Sequence, residues 1–129
     1  MSVGGIHHVA LLVRDVERVA AFYRDVLGMP ELRRHLHEDG SLRSIWLRLG
    51  DGPAFLAVEP AAAGAARAAA EAPGWLMLAL DIPAAARAEV RARLEAKGVQ
   101  IERESRWTLY FSDPEGNAVA LSHHPEDAP

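Results

Sequence analysis

The chain contains no cysteine, which excludes disulfides and thiolate chemistry and fits a reducing compartment. It has no long apolar run either. The N-terminal "MSVGGIHHVALLVRD" lacks a basic segment before its apolar stretch, and Arg14 and Asp15 end that stretch early. Neither a signal peptide nor a membrane span is expected. No Lys/Arg cluster forms a basic face, and the net charge is -4, which argues against a nucleic-acid partner. "GDGP" lacks the spacing and the lysine of a phosphate-binding loop, and no serine sits in a nucleophile-elbow context. These absences leave a cytoplasmic domain of 129 residues, long enough to bury roughly two-thirds of its unfolded surface without staples.

What is present is ordinary globular composition, half hydrophobic and a quarter charged. "IHHVALLV" is apolar and β-branched and stops at "RD", which predicts a buried strand. Asp15 is placed to cap a helix in which Val16, Val19, Ala20, Tyr23, Val26 and Leu27 recur at helical spacing. Gly28 and Pro30 stop it. "ELRRHLHE" alternates loosely, "DGS" marks a turn, and "RSIWLRL" and "AFLAVE" are two further strands joined by "GDGP". The alanine-rich stretch 60–74 has no large apolar residue; partly helical by propensity, it is bracketed by Pro and Gly as a linker.

"WLMLALDI" opens a second half as an apolar strand. Pro83 suits the first turn of a helix that runs through "AAARAEVRARLEAKG" to Gly98. "VQIERE", "WTLYFS" and "NAVALS" follow as strands, the last preceded by a type I turn at Asp113-Pro114-Glu115-Gly116. The polar tail 123–129 is expected to fray, with His123 and His124 solvated.

The order therefore repeats within one domain of residues 1–129: residues 6–59 and 75–122 each read β-α-β-β-β. "HHVALLVRDVERVAAFYRDVLGM" and "YFSDPEGNAVALS" resemble the opening strand-helix signature and the closing hairpin of the vicinal oxygen chelate superfamily. That superfamily includes glyoxalase I, extradiol dioxygenases, fosfomycin-resistance enzymes, methylmalonyl-CoA epimerase and bleomycin-resistance proteins. The resemblance spans residues 6–122. It implies an α+β fold, the glyoxalase/bleomycin-resistance fold, whose two modules form an open barrel-like cup with helices outside. It also implies a homodimer. It marks the fold more than the reaction.

In metal-dependent members of that superfamily, each module supplies two cup-facing ligand positions. Carried over by motif, these fall on His8, Leu56, Trp75 and Ala120. Leucine, tryptophan and alanine give no usable lone pair, and a metal site needs about three protein ligands, so no cofactor is expected. A 2-His-1-carboxylate set of His8, His37 and Glu59 is the alternative, and it requires a bulge or another register. His7 is expected to point away from His8. His35 and His37 share a face.

The ligand-contacting residues expected from this reading are His8, Trp46, Leu56, Trp75, Trp107, Tyr110 and Ala120. Indole and phenol rings suit planar or cationic molecules, and core or dimer-interface packing is the plain alternative for each. Trp75 is expected to matter more than Trp107. Arg33, Arg43 and Arg48 are candidates for an anionic group or for a solvated sheet face. The reading favours a metal-free small-molecule binding protein with an aromatic-lined cup. The alternatives are a metal-dependent lyase, isomerase or dioxygenase including His8, and metal-free acid/base catalysis with His8 as the only candidate base.

Overall fold

β-Branched and apolar residues make His8–Val13 the first strand, β1. Asp15 then caps helix α1 (Val16–Ala21), its carboxylate accepting from the Arg18 amide. The helix widens into a π-helical turn at Phe22–Val26, with Leu27 N–H donating to Phe22 C=O, five residues back. The wider turn buries the adjacent Phe22 and Tyr23 together, their rings edge-on at 5.3 Å. Gly28, at φ 73°, ends the segment in the left-handed conformation that favours glycine.

The structure, a computed structural model, describes residues 1–129. The chain divides into two units, residues 1–66 and 67–129. In the first, strands β2 (Glu31–Leu36), β3 (Leu42–Arg48) and β4 (Phe55–Pro60) join β1 in the order β1-β4-β3-β2. β1 and β4 are parallel, and the other neighbours are antiparallel. One sheet face carries Val9, Leu11, Val13, Ile45, Leu47, Leu56 and Val58, and α1 packs on it through β3 and β4. Fully burying Val13, Ile45, Leu47, Leu56 and Val58 contributes roughly 1.5–3 kcal/mol each.

A register shift between Glu31 and Arg33 sets charges on two faces. The extra residue turns Glu31 and Arg34 to the same, helix-bearing side. There Arg34 bonds Glu17 of α1 and Glu31, and Arg24 reaches Asp25 and Glu31. The Arg34 guanidinium, then Arg24, hold the Glu31 carboxyl below its ordinary value against the opposing effect of burial. With the folded value lowered, the unfolded state binds more protons, so this stabilisation is present above about pH 4.3 and is lost as pH falls through the folded value. Glu31→Gln is expected to flatten the acid limb of a melting-temperature profile, by about 0.5 kcal/mol for so exposed a network. An unchanged acid limb would show the pair contributes nothing.

The second unit repeats the plan. Strand β5 (Leu78–Asp81), a 3-10 turn at Ala84–Ala86 and helix α2 (Arg87–Ala96) precede β6 (Arg103–Glu104), β7 (Thr108–Ser112) and β8 (Ala118–Ser122). The order is β5-β8-β7-β6, again with a parallel first pair. Both sheets are open four-stranded sheets, and the fold is α+β. The turn before β8 forms as expected. Asp113 accepts from the Glu115 and Asn117 amides, and Gly116 N–H donates back to Asp113 C=O at 3.0 Å.

Several details differ from expectation. The stretch 60–74 holds no helix; its alanines pack against no apolar face, and propensity alone does not sustain a short helix. Arg67 in that stretch donates to Asn117 Oδ1 at 2.8 Å and to Gly116 C=O at 3.1 Å. The strand expected over 99–104 shrinks to two residues. The tail does not begin as solvated chain: His123 is 3% exposed. Its Nε2 lies 3.0 Å from Arg87 Nη1 and its Nδ1 2.5 Å from Glu126 C=O. The ladder explains this, since His123 N–H continues the β7–β8 pairing onto Trp107 C=O.

Candidate functional site

The face of the first sheet opposite α1 carries a different chemistry. The parallel ladder pairs His8 with Phe55, and the antiparallel one pairs Arg48 with Phe55 and Trp46 with Ala57. Ladder partners share a face. Arg33 is level with Trp46 and His35 with Ser44. So His8, Phe55, Trp46, His35, Arg33 and Arg48 stand on one side, with Ala10 and Leu12 exposed beside them.

Four rings form a row across the strands. His8 stacks on Phe55 at 4.9 Å and 6° between planes, and Phe55 stacks on Trp46 at 4.1 Å and 18°. His35 leans on Trp46 at 4.6 Å and 59°. His7 closes the other end, its ring edge-on to His8 and Phe55 and its Nδ1 2.9 Å from that of His8. The rings of His8, Phe55 and Trp46 stand with faces against one another, so it is their edges that point away from the sheet. Ring edges are the electropositive part of an aromatic quadrupole. His35 Nε2 is buried against this row with no hydrogen-bond partner, a cost of about 1–3 kcal/mol.

The structure brings together His8 and Trp46 of the expected residues, and separates Leu56 from them. Leu56 pairs with Val9 and Leu47 on the α1 face and is 1% exposed. The residue beside His8 is Phe55, which sequence reasoning missed. His7 precedes β1 and packs on Phe55, so the expected opposition of His7 and His8 is absent.

The metal ligands that the resemblance implies do not fit these residues. On His8's face the neighbouring rungs offer Phe55, Ala57 and Ala10, none with a donor atom in its side chain. Glu59 does share that face, but it pairs with Leu12, four residues along and so about 13 Å from the His8 rung. His37 lies beyond β2, in the turn closed by its backbone bonds to Ser41 and Gly40. No group of three His, Cys, Asp or Glu side chains comes together to hold a metal.

In the second unit, Ala120 is level with Ala79 and Tyr110, and Arg103 with Tyr110. The Arg103 guanidinium lies 4.1 Å from the Tyr110 ring centre. Trp107 stands one residue before β7, on the alternate side from Thr108 and Tyr110, against Arg106 and His124. Trp75 falls outside the sheet: β5 starts only at Leu78, and Trp75 is 102% exposed. The expected cup-facing place of Trp75 depended on a longer strand than forms.

Many solved structures share this fold, three of them as follows. A glyoxalase family protein from Enterococcus faecalis is 26% identical, with a TM-score of 0.72 over 93% of this chain and 98% of that one. TnmS3, an antibiotic binding protein from Streptomyces sp. CB03234, is 21% identical, with a TM-score of 0.70 over 95% and 98% of the two chains. FosX, a fosfomycin resistance protein from Listeria monocytogenes complexed with Mn(II) and sulfate ion, is 19% identical, with a TM-score of 0.72 over 95% and 93%. No curated protein matches the chain. No helix is long and apolar enough to cross a membrane. The Glyoxalase/Bleomycin resistance protein/Dioxygenase family model matches residues 5–121, and the chain belongs to that superfamily.

Proposed function

We propose that this chain binds a small planar molecule over the ring edges of its first sheet, without a divalent metal. One observation carries the reading: the rings of His8, Phe55, Trp46 and His35 adjoin on one sheet face. There His8 has the imidazole of His7 beside it but no third donor that a metal site would need. A flat molecule laid on these edges gains edge-to-face contacts of about 0.5–1.5 kcal/mol each beyond its buried area. His8 uses Nδ1 toward His7, which leaves Nε2 to anchor a polar group of the ligand. The likeness to TnmS3, an antibiotic binding protein, agrees with a binding role. A metal-dependent lyase, isomerase or dioxygenase would need a third donor that this face does not supply beside His7 and His8; FosX, a fosfomycin resistance protein of the same fold, is complexed with Mn(II).

Tyr110 of the second unit, with Arg103 over its ring, is proposed as a separate, smaller one-ring face; Ala120, level with it, is 1% exposed and offers no contact. Trp75 and Leu76, both large, apolar and exposed, are proposed as the pairing surface of a homodimer instead of ligand contacts. A cytoplasmic location is proposed from the absence of cysteine.

The test is a fluorescence titration. In a Trp75→Phe/Trp107→Phe variant, Trp46 is the remaining tryptophan. Titration with 2-naphthoate and 2-naphthalenemethanol in chelator-treated buffer is expected to change its emission saturably. No saturable change with either probe would overturn the reading.

A further inference from the structure

We infer that the ligand of this face is a planar aromatic anion carrying a carboxylate, held by Arg33 and Arg48. The inference rests on the binding reading above and adds the charge of the ligand. Arg48 stands on the rung of Phe55 and Arg33 on the rung of Trp46, so each of the two central rings has an arginine as its neighbour on the adjoining strand. Both side chains are exposed. Neither makes an ion pair or hydrogen bond through its guanidinium, whereas Arg24 and Arg34 on the helix side are fully engaged with Glu17, Asp25 and Glu31. The register shift before Arg33 causes this division, by turning Glu31 toward the helix and leaving the ring face without that carboxylate.

The other charged and titratable groups on the face agree. His7, His8 and His35 are neutral or cationic, never anionic. Glu59 is the one carboxylate on these β4 rungs and lies about 13 Å along the strand from Phe55. The ring edges add their own positive potential toward whatever lies over them. An aryl carboxylate therefore meets complementary charge twice, its electron-rich ring face on the ring edges and its oxygens on a guanidinium fork.

The experiment compares three probes with the same ring by isothermal titration: 2-naphthoate, 2-naphthalenemethanol and 2-naphthylmethylammonium. Two exposed ion pairs of about 0.5–1 kcal/mol each predict roughly tenfold tighter binding of naphthoate than of the alcohol. The ammonium is expected to bind most weakly. Raising the salt concentration should bring naphthoate toward the alcohol. Arg33→Gln/Arg48→Gln should abolish the preference by weakening naphthoate about tenfold more than the alcohol, while Arg33→Lys/Arg48→Lys should restore part of it.

Equal binding of naphthoate and alcohol by the wild type would overturn this inference and leave the aromatic site standing. Binding of none of the probes would overturn both. A preference that survives in the double glutamine variant would remove the two arginines from the site. Sedimentation on the same samples decides the remaining occupant: if naphthoate dissociates a dimer instead of binding it, a second copy covers this face and the inference fails.

Discussion

Trp46→Ala is expected to weaken binding of a planar probe roughly thirtyfold. The estimate combines an edge-to-face contact of about 1 kcal/mol with about 1 kcal/mol for apolar area no longer covered by the ligand. The position matters more than the residue type. Trp46 stacks on Phe55 on one side and supports His35 on the other, so its removal breaks the row in the middle. The chain should still fold, because the core face of the same strand, Ile45 and Leu47, is untouched. Trp46→Phe keeps a ring edge in place and should restore most of the affinity. Trp75→Ala, at a fully exposed side chain outside the sheet, should leave probe binding within about twofold, an effect below 0.5 kcal/mol. Isothermal titration of the three variants checks the series. Equal loss in Trp46→Ala and Trp75→Ala would return Trp75 to the site.

The fold was legible because local signals agreed with the final pairing. Asp15 before the helical spacing, Gly28 and Gly98 after it, and the Asp113 turn each act through their own backbone. The face of β4 was not legible. β4 lies between β1 and β3, and its Phe55, Leu56, Ala57 and Val58 are all buried. A central strand with apolar residues on both faces reads as a continuous apolar run, with no alternation to say which residues look which way. Leu56 was placed beside His8 by motif, one residue away from the Phe55 that the ladder puts there. Trp75 failed for a related reason: "WLMLAL" is apolar throughout, so nothing marks Leu78 as the start of pairing. The unpaired state of Arg33 follows from a register shift that adjacent residues do not announce.

The metal content of the protein is the sharper discriminator between a binder and an enzyme of this superfamily. Structural and catalytic divalent sites need about three protein ligands, and the two imidazoles of His7 and His8 fall one short. His8 stands with phenylalanine and alanine as its rung neighbours, and Glu59 and His37 are held elsewhere. Added Zn²⁺, Mn²⁺, Ni²⁺ or Fe²⁺ should therefore leave the melting temperature unchanged, since a ligand that binds the native state raises it by mass action. Elemental analysis of protein purified without chelator tests this most directly. No stoichiometric divalent metal is predicted, and about one ion per chain would contradict both the metal-free binding reading and the placement of His8 among rings instead of ligands.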